Sequence, residues 1–283
     1  MALGSGFSYR DWAALSLDHS TLTLTTTNTE LITLQNSLTP RLKQVSRLTS
    51  VDIGIVQEVY YTLTMTGAGS HNNIDGLEGM SIGCICLINH NIDFSKEIQV
   101  DVTLLDDVGV LIANEISNSE SSSFIGANKF FIFSQVWTGV FEVRITFRIL
   151  EPDPINVELG RLWIGNYLEA DFDNGYGFHH GSGAKPAFSI GNDIHLRYKQ
   201  PRKEMNFNFE LVQNDVVYGS GIDSWYDFSQ WASTNRDLIA LPNVTTDAEM
   251  QYLGTYGVLK KPMLIERSKG SYWSANFDIV ELV

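Results

Sequence analysis

Residues 21–34 alternate leucine with threonine, the pattern of a half-buried strand with β-branched polar residues on its wet side. Val51–Val56 and Val59–Thr66 continue it. Ile82-Gly-Cys-Ile-Cys-Leu-Ile88 is apolar throughout, as expected of a strand buried on both faces. Alternation returns in Ile98–Leu105, and Phe130–Phe133 and Phe141–Leu150 are strong strand segments. In the last of these, Phe141, Val143, Ile145, Phe147 and Ile149 face one way, and Glu142, Arg144, Thr146 and Arg148 the other. Gly67–Gly76, Asn89-His-Asn91 and Ser117–Ser123 have turn or loop composition. No helical periodicity lasts ten residues between 20 and 160. The pattern predicts an antiparallel sandwich.

Glu151-Pro-Asp-Pro154 ends this pattern, because two prolines cannot sit in a central strand. One more strand, Asn156–Ile164, closes the first unit. From Gly165 to Asn192 the chain is rich in glycine, with aromatics at 167, 172, 176, 178 and 188, an ordered-loop composition. Strands are then expected at 193–199, 204–212, 236–241, 250–260, 262–268 and 272–282. Between them Gly221–Ala232 suits a helix, with Asp223 as N-cap and Trp225, Phe228 and Ala232 on one face. The expected fold class is mainly β. Residues 1–165 form an antiparallel β-sandwich, and 166–283 a smaller antiparallel β domain with one short helix near 222–233. Glu158–Gly177 is the seam between them.

Charge narrows the function. With 33 acidic against 19 basic residues the net charge is -14, which disfavours nucleic acid and anionic lipid as partners. No apolar run approaches the roughly 20 residues of a spanning helix, so no membrane insertion is expected. The N-terminus lacks a basic stretch followed by an apolar core, so no secretory leader is expected either. The two cysteines, Cys84 and Cys86, would point to one face of a strand. That is poor disulfide geometry and too few ligands for zinc, so both are expected as small buried apolar residues.

Catalytic patterns are weak. The six histidines, His19, His71, His90, His179, His180 and His195, form no two-ligand metal spacing. Glu169–Gly175 resembles a calcium loop but places Asn174 and His180 where glycine and glutamate are required. Ser182-Gly-Ala-Lys185 matches S-x-x-K without its companion motifs. A glycosidase would need two carboxylates roughly 5–9 Å apart, which sequence alone does not display. Trp225, Tyr226 and Trp231 could stack on sugar, or serve as helix core and packing. No enzyme activity, metal or cofactor is expected.

Four segments, taken in order, resemble a family of tailed-bacteriophage minor (distal) tail proteins that carry a galactose-binding-like (discoidin-like) jelly roll. They are Leu38–Arg47, Ile85–Asn91, Val143–Phe147 with Val157–Gly165, and Phe172–Gly177 followed by Lys199–Leu211. Leu38–Arg47 lacks the family's tryptophan, and the basic strand pair after the seam is thinner in arginine. The resemblance implies a structural virion protein at the tail tip, assembled in the host cytoplasm. Its implied partners are other tail proteins (tube, hub, fibre), in a homo-oligomeric ring, trimer or hexamer, and a host surface glycan. A carbohydrate-binding adhesin is the alternative, with His71, Asn89, His90 and Asn91 as ligand candidates on the sandwich loops. At the seam, Gly160 and Gly165 permit close backbone approach. Arg161 would reach a carboxylate or carbonyl, and Trp163 and Tyr167 would dock.

Overall fold

The computed structural model describes residues 3–39, 44–66, 79–94, 98–119, 128–170, 176–181, 185–188, 194–197, 202–213, 217–218, 224–232, 234, 236–270 and 272–282. Its strands pair antiparallel throughout, so the chain is mainly antiparallel β. In chain order they run from β1 (Gly6–Ser8) to β21 (Tyr272–Glu281).

Two sheets make the sandwich. The outer sheet has the order β2 (Leu22–Thr25), β6 (Val56–Met65), β11 (Glu142–Leu150), β8 (Ile98–Leu105), β9 (Leu111–Ser119), with β5 (Val51–Ile53) on β6. The inner sheet has the order β10 (Asn128–Val140), β7 (Met80–His90), β12 (Asn156–Gly165), β4 (Ser46–Thr49), β3 (Thr29–Ile32). The third sheet runs β13 (Leu168–Glu169), β1, β18 (Asp237–Leu241), β19 (Thr255–Leu259), β21, β17 (Arg202–Gln213), β14 (Tyr176–Gly181), with β20 (Leu264–Lys269) on β21. A separate hairpin joins β15 (Lys185–Phe188) and β16 (Ile194–Arg197). Three short helices are described: α1 (Trp12–Leu15), α2 (Trp225–Trp231) and α3 (Asp247–Leu253), besides a 3-10 turn at Leu34–Leu38.

The layers stack outer sheet, inner sheet, third sheet, α2. The core between the sandwich sheets contains Leu63, Ile85, Leu87, Val102, Phe147 and Leu162. A second apolar layer, with Cys86, Ile88, Trp163, Tyr167, Ile239 and Tyr256, lies between inner and third sheets. A third gathers Phe7, Phe207, Phe209, Trp225, Phe228 and Phe277 under α2. Phe7 is its hub, with the rings of Phe207 and Phe277 edge-on at 5.1 and 5.4 Å. This stacking explains the unbroken apolar run of β7. Ile85 and Leu87 meet the outer sheet while Cys84, Cys86 and Ile88 meet the third, so both faces are dry. Both cysteines are free and buried.

Several local expectations change. The Thr/Leu stretch divides into β2 and β3, because Asn28 ties three backbone groups at the corner: its side chain donates to Thr49 and Glu58 carbonyls and accepts from Tyr60 N–H. Residues 247–253 are helix, not the start of a strand. Thr246 caps the Glu249 N–H and its hydroxyl donates to the Glu249 carboxylate, in a Thr-Asp-Ala-Glu stretch that has the sequence of a capping box. The second half therefore has two helices of this length among the described residues, not one. Ser224, not Asp223, caps α2, accepting from Asp227 N–H. The N-terminal strand β1 sits in the third sheet between β13 and β18, so Gly6–Ser8 belong to the layer built mainly from residues after 166.

Candidate functional site: the joint between sandwich and third sheet

The joint is built from β12, the N-terminal strap Leu3–Ala13, β18 and α3. Arg161 is its centre. It is 1% exposed, and it is carried by β12 into the layer facing the third sheet. Its Nη2 lies 2.8 Å from Asp237 Oδ2 on β18 and 2.9 Å from Asp11 Oδ2 at the N-cap of α1. Its Nη1 donates to the Leu38 carbonyl at the end of the 3-10 turn. One guanidinium thus ties four separate segments, using the planar fork that a lysine lacks. Asp237 also accepts from Tyr256 Oη at 2.5 Å, and Asp11 accepts from the Ala13 and Ile164 N–H groups.

The charges are mutually adjusted. Burial opposes the charge on Arg161, but Asp11 and Asp237 outweigh it and hold its pKa above the ordinary value. Burial pushes the Asp11 carboxyl up to about 7, with Asp237 adding to the rise and Arg161 opposing it. Burial, then Asp237, raises Tyr256 as well. A folded-state pKa raised above the unfolded one contributes stability that is present at low pH and lost as pH climbs through about 7. The stability difference between the wild type and Asp11→Asn should therefore shrink from pH 6 to pH 8, measured by urea unfolding. A difference independent of pH would show that Asp11 is ionised throughout. The comparison isolates Asp11 from His90, whose pKa is lowered to about 4 by burial and then by Lys129.

Around this centre the strap is stitched down. Trp163 Nε1 donates to Ser8 Oγ at 2.8 Å, and Trp12 Nε1 donates to the Ser81 carbonyl at 2.7 Å. The Asn166 side chain accepts from the Tyr9 and Arg10 N–H groups. Tyr167 Oη donates to the Gly4 carbonyl at 2.8 Å, its Cβ occupies the space that a side chain on Gly83 would need, and its ring with the Leu168 carbonyl does the same at Gly6. Tyr9 and Arg10 reach Asp227 on α2, and Arg10 and Arg236 lie 4.5 and 4.1 Å from the Trp231 ring. At the far edge Gln251 of α3 makes a two-way bond with the Phe130 backbone of β10, 2.8 and 2.9 Å. The buried Lys203 amine caps α3 by donating to the Tyr252, Leu253 and Gly254 carbonyls. A cleft of about 150 Å³ opens beside the centre, lined by Asp11, Asp18, Arg161, Trp231, Arg236 and Asp237.

Gly165 ends β12 where the strap crosses. A Cβ there would land on Ser8 Oγ and Trp163 Nε1, which hydrogen-bond each other. Gly165→Ala is expected to cost about 1–3 kcal/mol by overpacking, read from the urea midpoint. An unchanged midpoint would mean that the strap yields freely. Gly160 is buried within β12, beside Arg161.

The sandwich-loop candidates lie apart from the joint centre. His71 is outside the described residues. Asn89 is exposed at the end of β7 with φ 52°, its N–H donating to Asn128 Oδ1. His90 packs its ring 5.2 Å from Phe94. Asn91 grips β12, accepting from Glu158 N–H at 2.7 Å and donating to the Asn156 carbonyl at 2.9 Å. The acidic stretch at 169–175 and the S-x-x-K serine lie largely outside the described residues. Among the described residues, no three His, Cys, Asp or Glu side chains gather as a metal site. Trp225 is core, Trp231 is half-buried at the strap, and Tyr226 is about half exposed beside Tyr218, so the three share no platform.

Sequence reasoning missed Asp11, Asp237, Ser8 and Gln251. Only Asp11 carried a local sign, an acidic residue just before Trp-Ala-Ala-Leu that reads as an N-cap.

No family model matches the chain, and no curated protein sequence matches it. Solved structures align with about half its length. One is CpGH89CBM32-5 from Clostridium perfringens in complex with GalNAc-β-1,3-galactose, with 10% identity, 52% of this chain and 96% of that one covered, and a TM-score of 0.32. Another is a Streptococcus pneumoniae fucose binding module, with 10% identity, 56% and 96% covered, and a TM-score of 0.34. A third is the enzymatically active domain of bacteriophage CBA120 tailspike protein 4, with 15% identity, 57% and 21% covered, and a TM-score of 0.31. Likenesses of this size carry no argument about fold or function.

Proposed function

We propose that the chain is a non-catalytic structural protein of a tailed-phage virion, at the distal tail, where it joins the tube or hub to host-recognition parts. The observation that carries this reading is the joint: Arg161, buried and fixed to Asp11, Asp237 and Leu38, holds the sandwich and the third sheet at one angle. Such a joint suits a part that must transmit position between neighbours. The ordered family-like segments along the chain support the same role. In this reading the protein is assembled in the host cytoplasm as a ring of identical copies, trimer or hexamer, and contacts tube, hub and fibre proteins. Mass spectrometry of purified particles of the parent virus should find the chain in stoichiometric amount, and antibody labelling should place it at the tail tip. Particles that are complete without it would end this reading.

A further inference from the structure

The third sheet carries an open trough of about 430 Å³ across β14, β17 and β21, away from the joint. Its floor follows from strand register. Asn206 pairs with Gly177 on one side and Asp278 on the other, and Asn208 pairs with Asn276. Directly paired residues of antiparallel strands share a face, so these five positions line one surface while Phe207 and Phe277 point to the aromatic core.

Two features of this surface work against the strand. Asparagine is depleted in strands, because its amide competes for backbone bonds and its side chain fits the pleat poorly. Three asparagines here occupy adjacent positions in strand interiors, all exposed. Gly177 stands on the same face with nothing within 4 Å of where a Cβ would be. A glycine inside a strand weakens it, and one of its recurrent uses is to admit a ligand. Local choices that cost stability without a packing return mark function.

The chemistry is specific. Asn206 Nδ2 donates to Asp278 Oδ1 at 2.5 Å, and Lys261 Nζ lies 4.0 Å from Asp278 Oδ2. Beside them Lys260 pairs with Glu204 at 2.8 Å. The trough thus has no net charge on a chain of net charge -14. It offers amide donors and acceptors in fixed rows, with Tyr176 at its margin. A ligand that is uncharged, extended and dense in hydroxyls satisfies such a surface; an acidic one meets the chain's overall field. We infer that this trough binds a neutral oligosaccharide, with Asn208, Asn276 and the Asn206–Asp278 pair bonding its hydroxyls and Gly177 admitting a sugar ring.

The test uses the full chain and neutral hexasaccharides of glucose, galactose and N-acetylglucosamine, with oligogalacturonate as the acidic comparison, followed by calorimetry. Binding of a neutral hexasaccharide at millimolar or better affinity is expected. The double substitution Asn208→Ala/Asn276→Ala should weaken it about tenfold or more. Gly177→Val should abolish it while leaving the unfolding midpoint unchanged or higher, since valine favours strands and has open space there. No binding of any neutral hexasaccharide at millimolar concentration would overturn the inference. So would preference for the acidic sugar, or undiminished binding by both variants.

Discussion

Replacing Arg161 by leucine is expected to destabilise the protein by about 3–5 kcal/mol, because it removes one partner of a buried ion pair and leaves Asp11 and Asp237 facing each other without their cation. The Leu38 carbonyl loses its donor as well. The loss should be smaller at pH 6 than at pH 8. With the guanidinium gone, two carboxylates share a dry site, and protonating one relieves the repulsion. Arg161→Lys should recover only part of the loss, since a single ammonium cannot serve three segments in different directions. Urea midpoints at the two pH values check both statements. A loss below about 1 kcal/mol at pH 8 would show that the joint is solvated rather than dry.

Trp163→Ala is the second large effect, at about 3–5 kcal/mol. The indole is fully buried between the inner and third sheets, packs edge-on to Tyr256 at 6.2 Å, and donates to Ser8 Oγ. Its removal leaves a cavity where neither neighbouring sheet can collapse, because each is held by its own ladder. It also frees the strap at Ser8. Trp163→Phe keeps most of the apolar contact and loses only the donor, so it should cost clearly less. Equal losses for the two substitutions would assign the effect to the hydrogen bond and not to packing.

The strands were readable wherever one face is wet, as in β8 and β11, because alternation is then written directly into the residues. β7 was readable for the opposite reason: an unbroken apolar run implies two dry faces, here the outer sheet on one side and the third sheet on the other. What covered the second face was not readable. Ile239, Leu241 and Tyr256 lie more than 150 residues beyond Cys84, and no local pattern links them. The strap was hidden for a related reason. β1 is three residues long, too short for a period to register, and its strand partners stand at 168–169 and 239–241. Arg161 is legible as a charge flanked by Gly160 and Leu162 in the apolar half of its strand. Its partners Asp11 and Asp237, however, are ordinary acidic residues until folding brings them within 3 Å. The helix at 247–253 has the T-x-x-E sequence of a capping box, but its residues run directly into the apolar ones of β19, so the segment has the composition of one long strand.

The joint makes the sandwich and the third sheet one cooperative body. Native-state hydrogen exchange read by mass spectrometry tests it directly. Peptides from β12, β18 and β21 should share one opening free energy in the wild type, and Arg161→Leu should lower β18 and β21 selectively below β6 and β11. If the third sheet already exchanged independently of the sandwich in the wild type, the claim would be contradicted.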